Sequence, residues 1–133
     1  MDKLYTNTKD LRCKVILPEE GQLLRIFIGE SDRYKGQPLY EWLVNEAKRT
    51  GLAGATVLRG LAGFGAKSRI HTSNILRLSL DLPIIVEIVD RPERIDEFLK
   101  VVDDVVEEGL VTLEKAYIKL YRASNKKNGT SGT

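Results

Sequence analysis

The residues best suited to binding chemistry lie in a basic, glycine-rich segment, residues 59–77, that connects two predicted strands. From Arg59 to Leu80 the sequence contains no aspartate or glutamate. Backbone N–H groups at glycine can turn towards an anion, and lysine or arginine side chains can complete the enclosure of a phosphate group. The segment therefore predicts a site for a small anionic ligand. The residues predicted to line it are Arg59, Gly60, Gly63, Gly65, Lys67 and Arg69.

This segment does not follow the P-loop pattern, so a solvated extension without a ligand stays open as the alternative. Taking Gly60 as the first glycine of a P-loop places Gly65 correctly, but Ala66 stands where lysine is required. A predicted strand also follows the segment, rather than a helix whose N-terminus would hold phosphate.

A second candidate site is the turn after the first predicted strand of the domain, residues 29–36. Its carboxylates Glu30 and Asp32, together with His71, could ligate a metal ion. The alternative is a turn in which Ser31 and Asp32 hydrogen-bond to the backbone. Nucleophilic catalysis is not indicated, because no acid is identifiable that would orient His71 beside a serine. The sequence therefore predicts no catalytic residues and a protein that is not an enzyme.

The composition limits the class of protein. With 133 residues, 42% of them hydrophobic and 30% charged, the chain has the size and composition of one globular domain. The formal net charge of +2 is too small for a strongly basic nucleic-acid clamp, so nucleic acid is not an expected partner. One cysteine and one histidine exclude a disulfide framework, and also zinc sites built from Cys and His alone within one chain. No apolar run approaches the roughly 20 residues of a membrane span and the amino terminus lacks a signal-peptide pattern, which predicts a cytoplasmic protein without membrane insertion.

The elements that position these residues alternate in type along the chain. Runs rich in Ile, Val, Leu and Phe indicate strands, and apolar residues at helical spacing after Pro38 and Pro92 indicate two helices. The order βαββαβ is that of a ferredoxin-like α+β sandwich, an antiparallel four-stranded sheet with two helices on one face. The predicted organisation is an N-terminal extension over 1–21, the domain over 22–121 and a flexible C-terminal tail over 122–133. The predicted strands are residues 23–28, 55–58, 83–89 and 110–121.

Both faces of the predicted central strands are apolar in the sequence pattern. Successive residues of a strand point to opposite faces, and in residues 23–28 and 83–89 both sets of alternate positions contain Leu, Ile, Val or Phe. Such strands are typical of a sheet covered on both sides, and the pattern indicates no third helix that would cover the second face. The sequence therefore predicts self-association through this face, with the N-terminal extension folded over the sheet as the alternative.

Six segments of the sequence share a family pattern, and they are Leu24–Arg33, Gly36–Glu41, Gly51–Gly60, Gly63–Gly65, Leu82–Asp90 and Glu108–Thr112. Together they resemble the domain-of-unknown-function family numbered 190, over about residues 21–121. That family belongs with the PII (GlnB-like) signalling proteins and their CutA relatives, which are ferredoxin-like trimers whose sheets face inward. The resemblance therefore implies a PII-like fold and a homotrimer.

The resemblance also implies a regulatory or signalling function. In PII proteins, effector nucleotides bind in clefts between subunits at the base of a long loop, and this loop contacts a partner protein. The resemblance places residues 59–77 in that loop, which implies an adenine nucleotide as effector and a protein partner that docks through 59–77. The turn Glu107–Val111 is short, acidic and without lysine, unlike the phosphate-binding loop of PII proteins, so a smaller or less charged adenine nucleotide is expected. The alternatives are a CutA-like metal-binding trimer using Glu30, Asp32 and His71, or an interaction scaffold without a small ligand.

Overall fold

The structure, a computed structural model, describes residues 4–5, 17–65 and 81–124, which form a sheet with two helices. Its elements are β1 (Leu4–Tyr5), β2 (Leu17–Pro18), β3 (Glu20–Gly29), β4 (Arg33–Tyr34), β5 (Gln37–Pro38), α1 (Leu39–Arg49), β6 (Thr56–Arg59), β7 (Pro83–Asp90), α2 (Pro92–Val105) and β8 (Leu110–Tyr117). The main sheet is antiparallel, in the order β6-β7-β3-β8. This arrangement confirms the predicted ferredoxin-like α+β fold. Most of the predicted extension (1–21) and of the predicted tail (122–133) lies outside the described residues.

One face of the sheet forms the hydrophobic core together with the two helices. β3 and β7 are the central strands, and their register pairs Leu24 with Ile88 and Ile28 with Ile84. Because side chains alternate along a strand, every second residue of each central strand faces the helices. These core residues are at most 5% exposed, and they are Leu24, Ile26, Ile28, Ile84, Val86 and Ile88.

The two helices begin where the sequence predicts. α1 follows Pro38, whose fixed φ suits a helix start, and ends before Gly51, which adopts a φ of +83° that favours glycine. Pro92 is the first residue of α2. This helix ends at Val105, because Val106 adopts an extended conformation. Among the described residues, no helix is long and apolar enough to cross a membrane.

The opposite face of the sheet mixes apolar and charged side chains. Leu23 and Phe27 are half-buried on this face. Arg25 lies between them, and its guanidinium donates to Glu87 at 3.1 Å and to Glu114 at 2.9 Å. The hydrogen bond to Glu87 raises the pKa of Arg25 above its ordinary value. The second face therefore carries the predicted apolar side chains, and in addition an ion-pair cluster around Arg25 that the sequence pattern did not indicate.

The last strand is shorter than predicted. β8 ends at Tyr117, and the N–H of Ile118 donates to the carbonyl of Glu19 at 2.6 Å. The chain then spans the end of the sheet towards the opposite edge, where the Tyr121 hydroxyl donates to the carbonyl of Ala53 at 2.7 Å. Since the alternating pattern continues past Tyr117 while the backbone leaves the ladder, the pattern alone extends the strand too far.

Candidate functional site

The candidate site lies at the end of the sheet where β3 and β6 end and β7 begins. The N–H of Glu30 donates to the carbonyl of Leu82 at 2.8 Å, and the N–H of Gly60 donates to the carbonyl of Pro83 at 2.7 Å. Both segments are thus attached to consecutive carbonyls at the start of β7. The turn after β3 and the base of the basic segment are therefore fixed on either side of one strand.

A salt bridge over the start of β7 joins the two sites predicted from the sequence. Arg59 pairs in register with Ile84, and Ile84 pairs with Ile28, so Arg59 and Ile28 lie on the same face of the sheet. Glu30, two residues beyond Ile28, reaches back over this face, and the Arg59 guanidinium donates to its carboxylate. The side chain of Arg59 is 58% exposed and that of Glu30 is 29% exposed. The positive charge predicted to meet an anionic ligand is therefore already paired within the chain.

The glycines at the base of the segment allow a close approach to Pro83. A Cβ placed on Gly60 would lie 2.5 Å from the Cγ of Pro83, and one on Gly63 would lie 3.2 Å from the same atom. The N–H of Gly60 is used by the Pro83 carbonyl, so this group does not turn towards an anion as the glycine pattern suggests. Glycine at position 60 is required because the chain packs directly on the proline ring. Gly63 and Gly65 continue the described loop beyond this contact.

The turn after β3 is built from its own backbone and carboxylates. The N–H of Gly29 donates to the carboxylate of Asp32 at 2.9 Å, and the N–H of Asp32 donates to the carbonyl of Gly29 at 3.2 Å. The N–H of Ser31 donates to the carboxylate of Asp81 at 3.0 Å. Asp32 therefore stabilises the turn, in agreement with the structural alternative stated for this residue above.

The proposed metal ligands have other contacts in the structure. Glu30 accepts from Arg59, and Asp32 accepts from the N–H of Gly29. His71, the third candidate ligand, lies outside the described residues. Within the part of the chain that the structure describes, no three His, Cys, Asp or Glu side chains are grouped so as to hold a metal ion.

Further carboxylates lie at the same end of the sheet. Glu107 and Glu108 are exposed in the turn between α2 and β8. Gly109 packs so closely on the end of β3 that a Cβ there would lie 2.6 Å from the carbonyl oxygen of Phe27. The described part of this sheet end therefore carries more negative charge than the sequence of the basic segment alone suggests.

Two predicted site residues, Lys67 and Arg69, lie outside the described residues, and so does the rest of the predicted loop up to residue 77. Sequence reasoning overlooked two apolar side chains near the base of this loop. Leu61 is 96% exposed and Phe64 is 67% exposed. Large apolar residues among glycines in an otherwise polar loop are the signal that could have identified them.

A cleft of about 570 Å³ lies at the opposite end of the sheet. Its lining includes Ala53 and Thr56 on one side and Ile118 and Tyr121 on the other. The cleft is therefore formed where the C-terminal segment crosses the sheet, away from Arg59. None of the residues predicted to bind an anion or a metal lines it.

Comparison with solved structures places this fold among PII-like proteins. CPII, a nitrogen regulatory PII-like protein from Thiomonas intermedia K12, has been solved bound to ADP, AMP and bicarbonate. That structure is similar with a TM-score of 0.58 and 18% sequence identity, over 87% of this chain and 91% of CPII. CPII bound to ADP and bicarbonate gives a TM-score of 0.57 and 17% identity, with the same coverage of each chain. These similarities support the PII-like fold that the sequence resemblance implies.

Sequence comparison identifies the family. The model of DUF190, described as an uncharacterised ACR family (COG1993), matches residues 21–118. A UPF0166 protein of Aquifex aeolicus strain VF5 is 42% identical over 93 residues, which cover 70% of this chain and 88% of the relative. The family model covers β3, β6 and the turns that form the candidate site. The resemblance found in the sequence is therefore confirmed, and the chain belongs to the DUF190 family.

Proposed function

We propose that this chain is a PII-like regulatory protein of the cytoplasm, without enzymatic activity, that senses a small anionic effector. An adenine nucleotide is the proposed class of effector. The observation that carries this proposal is a cationic residue, Arg59, at the fixed base of a basic loop in a PII-like fold. The similar CPII structures hold ADP, in one case with AMP, together with bicarbonate.

The proposed binding site is a cleft between subunits at the base of the loop. Hydrogen bonding and close packing on Pro83 fix the first residues of the loop, which lowers the conformational entropy lost when a ligand binds there. Ligand binding at this base is proposed to alter the surface that the loop offers to a partner. The proposed ligand-binding residues are Arg59, Gly63, Gly65, Lys67 and Arg69, and Gly60 is proposed to hold the base of the loop against Pro83 because its N–H already donates to the Pro83 carbonyl.

A homotrimer is proposed because one face of the sheet has no covering layer among the described residues. The half-buried side chains of Leu23, Phe27, Ile85 and Val89 lie on the face opposite the helices. Leu110, in register with Phe27, is 58% exposed on the same face. Apolar surface of this kind is stabilised by association, and a second copy of the chain presents the same surface.

A protein partner is proposed to dock through the loop, residues 59–77. Leu61 and Phe64 supply exposed apolar side chains beside the fixed base. Aromatic side chains that become buried on association contribute much of the energy of an interface. Together with the basic residues of the loop, these side chains favour a partner surface that combines an apolar pocket with acidic groups.

The experiment is isothermal titration calorimetry of the purified full chain with AMP, ADP, ATP and cyclic AMP. Arg59→Ala and the double variant with Lys67→Ala and Arg69→Ala are expected to weaken the binding of an adenine nucleotide about tenfold or more, since each removes a charge-assisted contact to phosphate. Lys48→Ala is the matched control, because Lys48 is exposed in the last turn of α1, away from the loop. Its affinity is expected to equal that of the wild type.

The outcomes separate the alternatives. Binding of one nucleotide that Arg59→Ala weakens, with the oligomer retained in light scattering, supports the sensor. Equal affinity in the wild type and both loop variants contradicts the proposed site. If none of the four nucleotides binds, the interaction scaffold without a small ligand becomes the better description.

A further inference from the structure

The salt bridge between Arg59 and Glu30 gives the proposed site a built-in competitor for its ligand. Resting on the function proposed above, we propose that Glu30 is a specificity-determining residue, which selects effectors of low negative charge. Its carboxylate occupies the guanidinium of Arg59. An incoming phosphate group must displace this carboxylate or bind beside it, and both routes disfavour a highly charged ligand.

The position of Glu30 is fixed by hydrogen bonds of the surrounding turn. Its own N–H donates to the carbonyl of Leu82 at 2.8 Å. The N–H of Ser31, the next residue, donates to the carboxylate of Asp81 at 3.0 Å, and the N–H of Gly29, the preceding residue, donates to Asp32 at 2.9 Å. All three successive backbone donors are thus satisfied, one by Asp32 of the turn and two by the residues just before β7. The carboxylate of Glu30 therefore stays close to the site when its bond to Arg59 breaks.

Arg59 is fixed in the same way on the other side of β7. It is the last residue of β6 and pairs in register with Ile84. The next N–H, that of Gly60, donates to Pro83. The backbones of Glu30 and Arg59 are therefore fixed on the two sides of β7. Because neighbouring strands lie about 5 Å apart, these backbones are about 10 Å apart. The backbone positions that carry the two charges therefore stay in place as long as the sheet keeps its register.

The charge of the ligand decides how strongly Glu30 opposes it. The repulsion between two like charges grows with the product of the charges, and AMP carries about two negative charges where ATP carries about four. Both side chains are partly exposed, at 29% for Glu30 and 58% for Arg59, so solvent screens the effect but does not remove it. Glu30 therefore penalises ATP more than AMP.

The test compares AMP and ATP binding to the full chain and to Glu30→Gln, by calorimetry at low ionic strength without divalent cations. Glutamine keeps the size of the side chain and removes its charge. An exposed ion pair of this kind is worth a factor of about two to five in an equilibrium constant. We therefore expect the affinity for AMP to rise about two- to fivefold, and the increase in affinity for ATP to be about three times as large. The excess for ATP should shrink when the salt concentration is raised to 0.5 M, roughly three times physiological ionic strength.

Glu20→Gln is the matched control. Glu20 also pairs with a cation, Lys115 at 2.9 Å, but it lies at the other end of β3, about 30 Å from Glu30 along the strand. Glu20→Gln changes the net charge of the protein by the same amount as Glu30→Gln, so an effect of net charge alone would appear in both variants. Glu20→Gln is expected to leave both affinities unchanged.

Each result decides between the inference and the proposed function. An increase for ATP no larger than that for AMP, or no increase for either, overturns the role of Glu30 while the nucleotide site stands. If Arg59→Ala binds AMP and ATP with the affinities of the wild type, or if neither protein binds either nucleotide, then the proposed site itself fails and the role of Glu30 fails with it. A purely structural defect would lower the affinity for both nucleotides, whereas loss of the Glu30 charge is expected to raise both.

Discussion

Replacing Gly60 by alanine tests whether the loop base is fixed by its contact with Pro83. The added Cβ would lie 2.5 Å from the Cγ of Pro83, whereas ordinary van der Waals contact begins at about 3.4 Å. The two atoms must therefore separate by about 1 Å. The proline ring cannot rotate away, and moving the backbone stretches the 2.7 Å hydrogen bond between the N–H of Gly60 and the carbonyl of Pro83.

The expected magnitude is the balance of two effects. Forcing an extra methyl group into a close contact costs about 1–3 kcal/mol. Alanine also restricts the unfolded chain, which stabilises the folded state by about 0.4–1 kcal/mol. Gly60→Ala is therefore expected to lower the free energy of unfolding by about 1–2 kcal/mol.

Urea denaturation at one fixed protein concentration measures this change, because association would make the apparent stability depend on concentration. Gly54→Ala is the matched control: no atom lies within 4 Å of its added Cβ, and a gain of about 0.4–1 kcal/mol is expected. Gly63→Ala, with its 3.2 Å contact, should fall between the two. If Gly60→Ala proves as stable as Gly54→Ala, the close packing on Pro83 does not fix the loop base.

Three further predictions concern hydrogen bonds away from the site. Asp90 is only 2% exposed, and its carboxylate accepts hydrogen bonds from the N–H of Ala53 at 2.9 Å and from the N–H of Arg91 at 2.7 Å. Asp90→Ala should therefore lower the free energy of unfolding, measured by urea denaturation, by about 2–4 kcal/mol. Tyr121→Phe removes the 2.7 Å bond to the carbonyl of Ala53 and should cost about 0.5–1.5 kcal/mol in the same assay, with little change in the m value. The hydrogen bond from Arg49 lowers the pKa of Glu46, so the pair stabilises the fold above the unfolded pKa of about 4.3 and this contribution is lost as the pH falls through the lower, folded pKa. Glu46→Gln should therefore slightly lower the urea midpoint at pH 7, and the difference from the wild type should vanish at about pH 2.

The sequence predicted the fold well because its signals are local. Pro38 and Pro92 mark helix starts through a fixed φ and a missing donor, and Gly51 marks a helix end through its positive φ. These signals act within a few residues, so they can be recognised without knowledge of the tertiary structure. The boundary of the last strand was predicted less well, because β8 ends where its partner β3 begins, at Glu20, a residue distant in sequence.

The candidate site was predicted in its residue types but not in its contacts. Arg59 and Glu30 were each singled out, the first for an anion and the second for a metal, yet no local pattern indicates that they bind each other. Their contact depends on the register of β3 and β6 against the intervening β7. Arg25 was overlooked for the same reason, since its acceptors Glu87 and Glu114 come from two neighbouring strands.

The same register explains why the turn after β3 and the base of the basic segment lie side by side. In an antiparallel sheet, the end of β3 and the end of β6 meet at the start of β7, so two segments separated by about 30 positions become neighbours through one intervening strand. This arrangement places a carboxylate on a fixed turn beside a cation on a fixed loop base. A site that contains both charges responds to the charge of its ligand as well as to its shape, because one residue attracts the anion that the other repels. The strand order of the fold therefore supplies the contact between Glu30 and Arg59 on which the proposed selection of effector charge rests.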